Sequence, residues 1–168
     1  MRTRIFLLVF ILVSTLTELE AQNNKWYVEA GPYVGIAAWT FSVGHSLGIG
    51  ADARVARDFG SGFSGGGKVT YGYFFGKKIA GNGPKVSGVS MTGVYANLQY
   101  VHDGKYVAGG DIGLGFSAAD GNSETGFART GYLGYQWKQQ DNILTIAAYM
   151  NRTTIATYNI GIRTWYRF

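Results

Sequence analysis

The sequence predicts an all-β protein, an eight-stranded antiparallel up-and-down β-barrel that spans a membrane. Three observations predict this fold. The chain combines 26 glycines, 12 tyrosines and 10 phenylalanines with two prolines, and no segment after the N-terminus shows a sustained helical period, which favours many strands. Apolar and polar residues alternate in eight successive segments. Aromatic residues gather at the ends of these segments, as they do in membrane barrels.

The N-terminal residues have the three-part layout of a secretory signal peptide. A charged start at 1–4 precedes the unbroken apolar run 5–13, and Ala21 offers a small residue for cleavage. This apolar run is too short to cross about 30 Å of hydrocarbon as a helix, which argues against a membrane anchor. We therefore predict a cleavable signal peptide at residues 1–21 and one mature β-barrel domain at 22–168.

Charge and cysteine content exclude several classes of function. Residues 1–21 contain two basic and two acidic residues, so the mature chain keeps the net charge of +5. The absence of cysteine excludes a lipoprotein anchor, a disulfide framework and thiolate metal sites, and we expect no cofactor. Nucleic-acid binding is not expected, because the chain is predicted to be exported and its basic residues are scattered.

The first three segments alternate between an apolar face and a face that carries glycines and charges, and the fourth is less sharply split. Pro32 interrupts the first segment and removes a backbone donor, a defect that an edge or a bulge must absorb. The second segment carries Asp52 and Arg54 on its glycine-rich face, and the third carries Lys68 opposite its tyrosines. These segments run over 26–36, 45–56, 67–75 and 89–101.

The last four segments show the same period of two, although the contrast in the seventh is weak. The fifth carries Asp111 on its polar face. The eighth is the clearest, because one face is apolar and ends in Tyr166 and Phe168, while the other carries Arg163 and Arg167. A membrane strand needs roughly 9–11 residues at the usual tilt, which these segments approach. They run over 108–117, 130–137, 143–150 and 158–168.

The connections form two sets if the N-terminus is periplasmic. Asp103-Gly104 in the second periplasmic turn is a hairpin signal, because the backbone twist of such a turn suits paired strands. All the outward connections are short for a surface-exposed barrel. The predicted periplasmic turns are 58–62, 102–105 and 138–141, and the predicted outward loops are 37–44, 76–88, 119–126 and 151–156.

Aromatic residues predict two girdles at the membrane boundaries. Amphipathic rings prefer these boundaries, whereas a soluble barrel would bury its aromatic residues in the middle of its strands. The girdles therefore favour lipid over water around the barrel. At the periplasmic rim we expect Trp26, Phe59, Phe63, Tyr100, Tyr106, Trp137, Tyr166 and Phe168, and at the opposite rim Trp39, Phe41, Phe75, Phe116, Phe127 and Tyr158.

The polar faces predict a charged barrel interior. An eight-stranded barrel is just wide enough for its side chains to fill it, and buried charges are tolerated only when they are paired. We therefore predict a salt-bridged plug, with a small polar channel or a ligand pocket as the alternative. The predicted polar network of the lumen consists of Glu29, Asp52, Arg54, Lys68, Asp111, Arg163 and Arg167.

The candidate catalytic and anion-binding residues are few. Some outer-membrane barrels modify lipid A with a histidine, a serine and a carboxylate, but His45 and Ser46 are adjacent on a strand and point to opposite faces. His102 lies in a predicted turn beside Asp103, so we expect no enzyme. The outward loop 76–85 contains three lysines that could attract the phosphates or acidic sugars of lipopolysaccharide, but we interpret it in the first place as a flexible solvated loop.

The mature chain resembles the small eight-stranded outer-membrane barrels of the OmpX and OmpA-transmembrane-domain type. The resemblance rests on the export signal, the eight alternating segments, the aromatic rims and the terminal Tyr166 and Phe168. It implies integral insertion into the outer membrane of a Gram-negative bacterium, contact with outer-membrane lipid and lipopolysaccharide, and recognition of Tyr166 and Phe168 by the barrel-assembly machinery. The Ala21-Gln22 junction and the strands rich in tyrosine and glycine also resemble small barrels from Bacteroidota. The outward loops are shorter than in the OmpX type, so no adhesin role is expected.

Three hypotheses for function follow. The leading one is a non-enzymatic integral outer-membrane protein, either structural or an accessory subunit of an envelope complex that it contacts laterally or on the periplasmic side. The second is a narrow channel or a ligand-binding barrel that uses the polar lumen. The third is a soluble exported lipocalin-like binder with its apolar faces turned inward, which alternation alone does not distinguish from a membrane barrel.

Overall fold

A computed structural model describes residues 26–79, 83–139, 142–154 and 157–168 of the chain. The predicted signal peptide at 1–21 lies outside the described residues. Eight strands are present, and a short 3-10 segment, Trp39–Val43, follows the first. The strands are β1 (Trp26–Ala38), β2 (His45–Gly60), β3 (Phe63–Gly76), β4 (Val89–His102), β5 (Tyr106–Ala119), β6 (Asn122–Gln139), β7 (Asn142–Arg152) and β8 (Tyr158–Arg167).

The eight strands form a closed barrel in sequence order. Each strand pairs antiparallel with the next, and β8 pairs antiparallel with β1. Closure satisfies both edges of the sheet, so no row of backbone donors and acceptors is left open. The predicted fold class, an all-β eight-stranded antiparallel up-and-down barrel, is confirmed.

The strand ends differ most from the sequence prediction between β5 and β6. The predicted outward loop 119–126 is wrong, since the two strands remain paired up to Ala119 and Asn122. Asp120 and Gly121 alone make the turn, with φ of 49° and 79°. A two-residue hairpin turn of this kind needs positive φ at both positions, which an Asp-Gly pair supplies.

The turns predicted for the periplasmic end are also tight. Asp103 and Gly104 have φ of 51° and 66°, which confirms the hairpin predicted from this pair. Between β2 and β3 the turn narrows to Ser61 and Gly62, both with positive φ. In the predicted turn 138–141, β6 continues to residue 139, and residues 140–141 lie outside the described part of the chain.

Pro32 lies at the seam where the first and last strands meet. It pairs in register with Ala51 of β2, but the ladder between β1 and β8 is interrupted between Ala30 and Tyr33 without a change of register. The missing backbone donor of Pro32 therefore coincides with a gap in the hydrogen-bond ladder between β1 and β8. The expected edge or bulge is not found there. The Thr164 hydroxyl donates to the Pro32 carbonyl oxygen across this gap at 3.2 Å.

The barrel is apolar outside and polar inside. Leu133, Ile162, Ile112 and Val94 are each more than half exposed, whereas charged, amide and hydroxyl side chains line the interior together with buried tyrosine and tryptophan rings. This arrangement is the reverse of a protein dissolved in water. The lipocalin-like alternative is therefore wrong, because it requires apolar residues in the interior. Of the residues described, none belongs to a helix long and apolar enough to cross a membrane.

An apolar layer lies at the predicted outer end of the interior. Phe41 of the 3-10 segment turns inward and packs edge-on against Phe74, at 5.3 Å between ring centroids, above Val89 and Met91. The prediction of Phe41 in the outer girdle is wrong for this reason, since only 7% of it is exposed. The segment folds over the barrel mouth, a change of direction that a period-two pattern does not reveal.

Candidate functional site

The barrel interior holds the candidate site. The structure directs all seven side chains of the predicted polar network inward from five strands. Six of them are at most 3% exposed, and Arg167, near the end of β8, has 21% of its side chain exposed at the barrel mouth where β8 ends. We call this group, together with Asn97 and Tyr132 that link its members, the lumen network.

Glu29 joins three strands at the end of the lumen network where β1 starts and β8 ends. Its cross-strand partners are Arg54 on β2 and Arg167 on β8, so the register itself delivers one guanidinium from each side. Glu29 forms an ion pair with Arg54, and its Oε1 lies 2.8 Å from Arg167 Nη2. One carboxylate thereby ties the closing strand to the first two strands.

Asp111 is the second junction. It forms an ion pair with Lys68 from β3, its Oδ2 lies 3.7 Å from Arg163 Nη1, and its Oδ1 accepts a hydrogen bond from Asn97 at 2.5 Å. Arg163 also lies 3.2 Å from Asp52 Oδ2. These contacts join charges from β2, β3, β5 and β8 in the middle of the barrel.

Asn97 and Tyr132 connect the two junctions. The Arg54 guanidinium donates to Asn97 Oδ1 at 3.1 Å and to the Tyr132 hydroxyl at 3.3 Å. The Asn97 amide donates to the same hydroxyl at 2.9 Å, and that hydroxyl donates to Gln99 Oε1 at 3.4 Å. All seven predicted charges therefore belong to one connected network.

Aromatic rings separate the cations of the lumen network. Arg163 lies 4.1 Å from the centre of the Tyr149 ring, and Arg54 lies 4.8 Å from the Trp165 ring. Such contacts stabilise a guanidinium most when it is withdrawn from water. The network predicted from the sequence lacked Asn97, Gln99, Tyr149 and Trp165, although each occupies an inward position of its strand.

The charges of the interior are nearly balanced. Three buried carboxylates face three buried cations, and Arg167 adds a fourth cation where water reaches it. Paired charges avoid most of the penalty of burial, whereas a single unpaired one would not. The arrangement can hold the barrel rigid, and its single excess charge, that of Arg167, lies where water reaches it.

Several buried polar groups have no hydrogen-bond partner within the part of the chain that the structure describes. They include Gln99 Nε2, the Trp165 indole nitrogen and both polar side-chain atoms of Asn159. Unsatisfied groups in a barrel interior can bind water or a small polar molecule.

The connection between β7 and β8 covers the outer end beside the apolar layer. The Thr154 backbone N–H donates to the Thr157 hydroxyl at 2.7 Å, and the Thr154 hydroxyl donates to Glu124 Oε2 at 3.0 Å. Both threonines are buried, so this connection folds inward. Residues 155–156 lie outside the described part.

The six aromatic residues predicted for the membrane interface all face outward. They lie at the end of the barrel where β1 starts and β8 ends, and between 36% and 73% of each is exposed. The rings of Tyr166 and Phe168 pack edge-on at 5.1 Å. The six are Trp26, Tyr100, Tyr106, Trp137, Tyr166 and Phe168.

The histidines are not arranged for catalysis. His45 stacks on Phe41 at 4.4 Å, and its Nε2 lies 3.1 Å from the Ser87 carbonyl oxygen. His102 Nε2 lies 3.3 Å from Asp103 Oδ2 in an exposed turn. Among the described residues, no three potential metal ligands cluster together.

The lysines of the loop between β3 and β4 are exposed. The Lys77 backbone N–H donates to the Gly44 carbonyl oxygen at 2.9 Å, and Lys78 and Lys85 form an isolated bridge. Residues 80–82 of this loop are not among those described.

Solved structures of small outer-membrane proteins share this fold. The attachment invasion locus protein Ail of Yersinia pestis is 13% identical, with a TM-score of 0.56 over 85% of this chain and 97% of Ail. OprG of Pseudomonas aeruginosa is 9% identical, with a TM-score of 0.56 over 85% and 95%. Neisserial surface protein A, NspA, is 13% identical, with a TM-score of 0.58 over 85% and 96%.

These similarities establish the fold, at identities too low to carry more. No protein-family model and no curated protein matches the sequence. The three similar proteins do not come from Bacteroidota, so the expected resemblance to barrels of that group is not supported.

Proposed function

We propose that this chain is a non-enzymatic integral protein of a Gram-negative outer membrane, a structural protein or an accessory subunit of an envelope complex, with a closed lumen. The observation that carries the proposal is the lumen network, in which three buried carboxylates are paired with three buried cations. Above it, Phe41 and Phe74 fill the outer end. A filled interior leaves the exterior and the two rims as the surfaces that make contacts.

The height of the apolar exterior supports membrane insertion. On β6, Phe127 and Trp137 face outward near opposite ends. Ten residues of strand span about 33 Å, or roughly 25 Å along the barrel axis at a tilt of about 40°. This matches the apolar band of outer-membrane barrels, about 25 Å tall.

The orientation follows from the connections and the rims. The start of β1, the end of β8 and the tight turns at Ser61-Gly62 and Asp103-Gly104 lie at one end, which we assign to the periplasm. The exposed rings of Tyr166 and Phe168 lie at the same end and are the proposed contact for the barrel-assembly machinery. The six outward-facing rings there would occupy the interface of the inner leaflet.

Outer-membrane lipid and lipopolysaccharide are the proposed partners. Lys77, Lys78 and Lys85 are exposed at the outer end, where anionic groups of lipopolysaccharide would be attracted. Ail has been solved with the heparin analogue sucrose octasulfate, so a barrel of this fold accepts a polyanion. Contacts with other envelope proteins would use the lateral and periplasmic surfaces.

Conductance across planar lipid bilayers tests the closed lumen. We expect no stable current steps from the purified wild-type protein. We expect steps from a Phe41→Ala/Arg163→Ala variant, because it removes one side chain from the apolar layer and one from the lumen network. The variant Arg57→Gln, which removes an outward-facing charge, serves as the control and should stay closed. Stable steps from the wild type would contradict the plug.

A narrow channel or a small-ligand barrel is the second candidate. The buried polar atoms of Asn159, Gln99 and Trp165 without protein partners favour it, because they could line a path or bind a small polar molecule. Wild-type conductance would support this candidate in place of the closed barrel.

A further inference from the structure

Two arginines lie side by side on the lipid-facing exterior of the barrel. Arg129 on β6 and Arg152 on β7 are direct cross-strand partners, so their Cβ atoms are about 5 Å apart. Both belong to the outward series of their strands, since Arg129 lies between buried Ala128 and Thr130, and Arg152 follows exposed Met150 by two residues.

Neither arginine has a carboxylate partner among the residues that the structure describes. Glu124, five residues before Arg129 on the same strand, accepts a hydrogen bond from buried Thr154. Like charges directly opposite each other on a sheet are destabilising. An anion between the two guanidinium groups would reverse the sign of this interaction, because each can bind a phosphate through two hydrogen bonds.

The position of Arg129 and Arg152 along the barrel axis indicates where in the membrane such an anion would lie. Arg129 is eight residues above Trp137 on β6, which is about 26 Å along the strand and roughly 20 Å along the axis at a tilt of about 40°. The pair therefore lies just below the outer boundary of the apolar band, about 25 Å tall. Long arginine side chains reach upward to the interface from such a position.

The surroundings favour a lipid over a free ion. Below the pair, exposed Leu133, Met150 and Ile160 offer apolar surface to acyl chains. Beside it, Arg152 lies 5.1 Å from the Tyr158 ring, and Trp39 packs edge-on against that ring at 5.2 Å. The Arg152 Nε donates to the Thr154 carbonyl oxygen at 3.2 Å, which leaves its two terminal nitrogens to bind an anion.

We propose that Arg129 and Arg152 form a binding site for a phosphate group of lipopolysaccharide on the outer leaflet. The inference rests on the proposed membrane orientation, which places this end of the barrel outward. Phosphate is held between the two guanidinium groups, the acyl chains lie along β6, β7 and β8 below them, and the aromatic pair Trp39 and Tyr158 flanks the sugar.

The test compares binding of four probes to the refolded full-length barrel in detergent: lipopolysaccharide, dephosphorylated lipopolysaccharide, phosphatidylglycerol and inorganic phosphate. We expect Arg129→Gln/Arg152→Gln to weaken lipopolysaccharide binding at least tenfold, and dephosphorylated lipopolysaccharide to bind the wild type comparably weakly. Arg57→Gln, an outward-facing arginine at the opposite end of the barrel, should change affinity less than twofold.

Unchanged lipopolysaccharide affinity in the double variant would overturn the site. Equal affinity of the wild type for phosphatidylglycerol or for inorganic phosphate would overturn the assignment to lipopolysaccharide. Each variant is first shown to be a folded barrel by its electrophoretic shift on boiling. Loss of that shift in the wild type refutes the membrane barrel itself, whereas a folded barrel without the affinity difference refutes only the site.

Thermal unfolding gives a second readout, because the change in Tm caused by Arg129→Gln should have opposite signs without and with lipopolysaccharide. In detergent without lipopolysaccharide, Arg129→Gln removes repulsion and is expected to raise the apparent Tm by roughly 1–4 °C. With lipopolysaccharide present, the same variant should unfold at a lower temperature than the wild type. The same direction in both conditions would contradict the proposal.

Discussion

Replacing Glu29 with glutamine keeps the shape of the side chain and removes the negative charge that Arg54 and Arg167 share. Arg54 is 1% exposed, and after the change its described partners are the neutral groups of Asn97, Tyr132 and the new amide. An arginine left buried without a counter-charge destabilises a protein by roughly 3–5 kcal/mol. Arg167 adds little, because its partly exposed side chain can turn to water.

The free energy of unfolding of Glu29→Gln is measured by urea titration in lipid vesicles, with tryptophan fluorescence as the signal. Arg167→Gln is the matched variant from the same contact, and we expect it to cost no more than about 1 kcal/mol, as for partly solvated pairs. Glu29→Gln/Arg54→Gln removes both buried charges and should recover at least half of the loss. The reasoning is refuted if Glu29→Gln costs no more than Arg167→Gln.

Three further predictions concern the apolar layer at the outer end, the turn between β5 and β6, and a close contact between neighbouring strands. Phe41→Ala should reduce the free energy of unfolding by about 3–5 kcal/mol, seen in the same urea titration, whereas Trp39→Ala on the exposed side of the segment should have a smaller effect. Gly121→Ala places a side chain at φ of 79° and should reduce the free energy of unfolding by about 1 kcal/mol. In the control Gly131→Ala the added methyl group meets open space, so the free energy of unfolding should not change. Equal losses in the two variants would contradict the turn geometry. Gly161→Ala directs a methyl group at the Val34 carbonyl oxygen and should slow refolding into vesicles, whereas Gly67→Ala meets no neighbour and should refold as the wild type does.

The strand faces were predictable because alternation has a period of two wherever one side of a strand faces lipid and the other the lumen. The eighth strand shows this most clearly, with Arg163 and Arg167 inward and Tyr166 outward. The turn at Asp103-Gly104 was predictable for a separate reason, since the pair itself selects the backbone conformation.

The outer end was less predictable because its strands extend beyond the alternating pattern. Asn122 to Thr125 are exposed on both faces, so the pairing of β5 and β6 there leaves no hydrophobic signature, and the Asp120-Gly121 turn was placed inside a longer loop. The inward fold of Phe41 depends on the 3-10 segment, whose residues follow no strand period.

The contacts within the lumen depend on register. Alternation predicted that Glu29, Arg54 and Arg167 face inward. Their contact also requires that Glu29 of β1 lie directly opposite Arg54 of β2 and Arg167 of β8, which alternation does not determine. A slip of one residue would turn a whole strand face outward, and a slip of two would separate the charges. Asn97 is neutral and gave no charge signal, although it links the two junctions of the network.

Electrophoresis in detergent of boiled and unboiled protein from washed outer membranes tests whether the chain forms a membrane-inserted closed barrel. A barrel whose eight strands pair around the whole circumference, and whose interior holds the lumen network, should resist the detergent, so the unboiled protein should migrate faster than the boiled protein. Recovery of the protein in the soluble fraction, with the same mobility before and after boiling, would contradict the account of a membrane-inserted barrel.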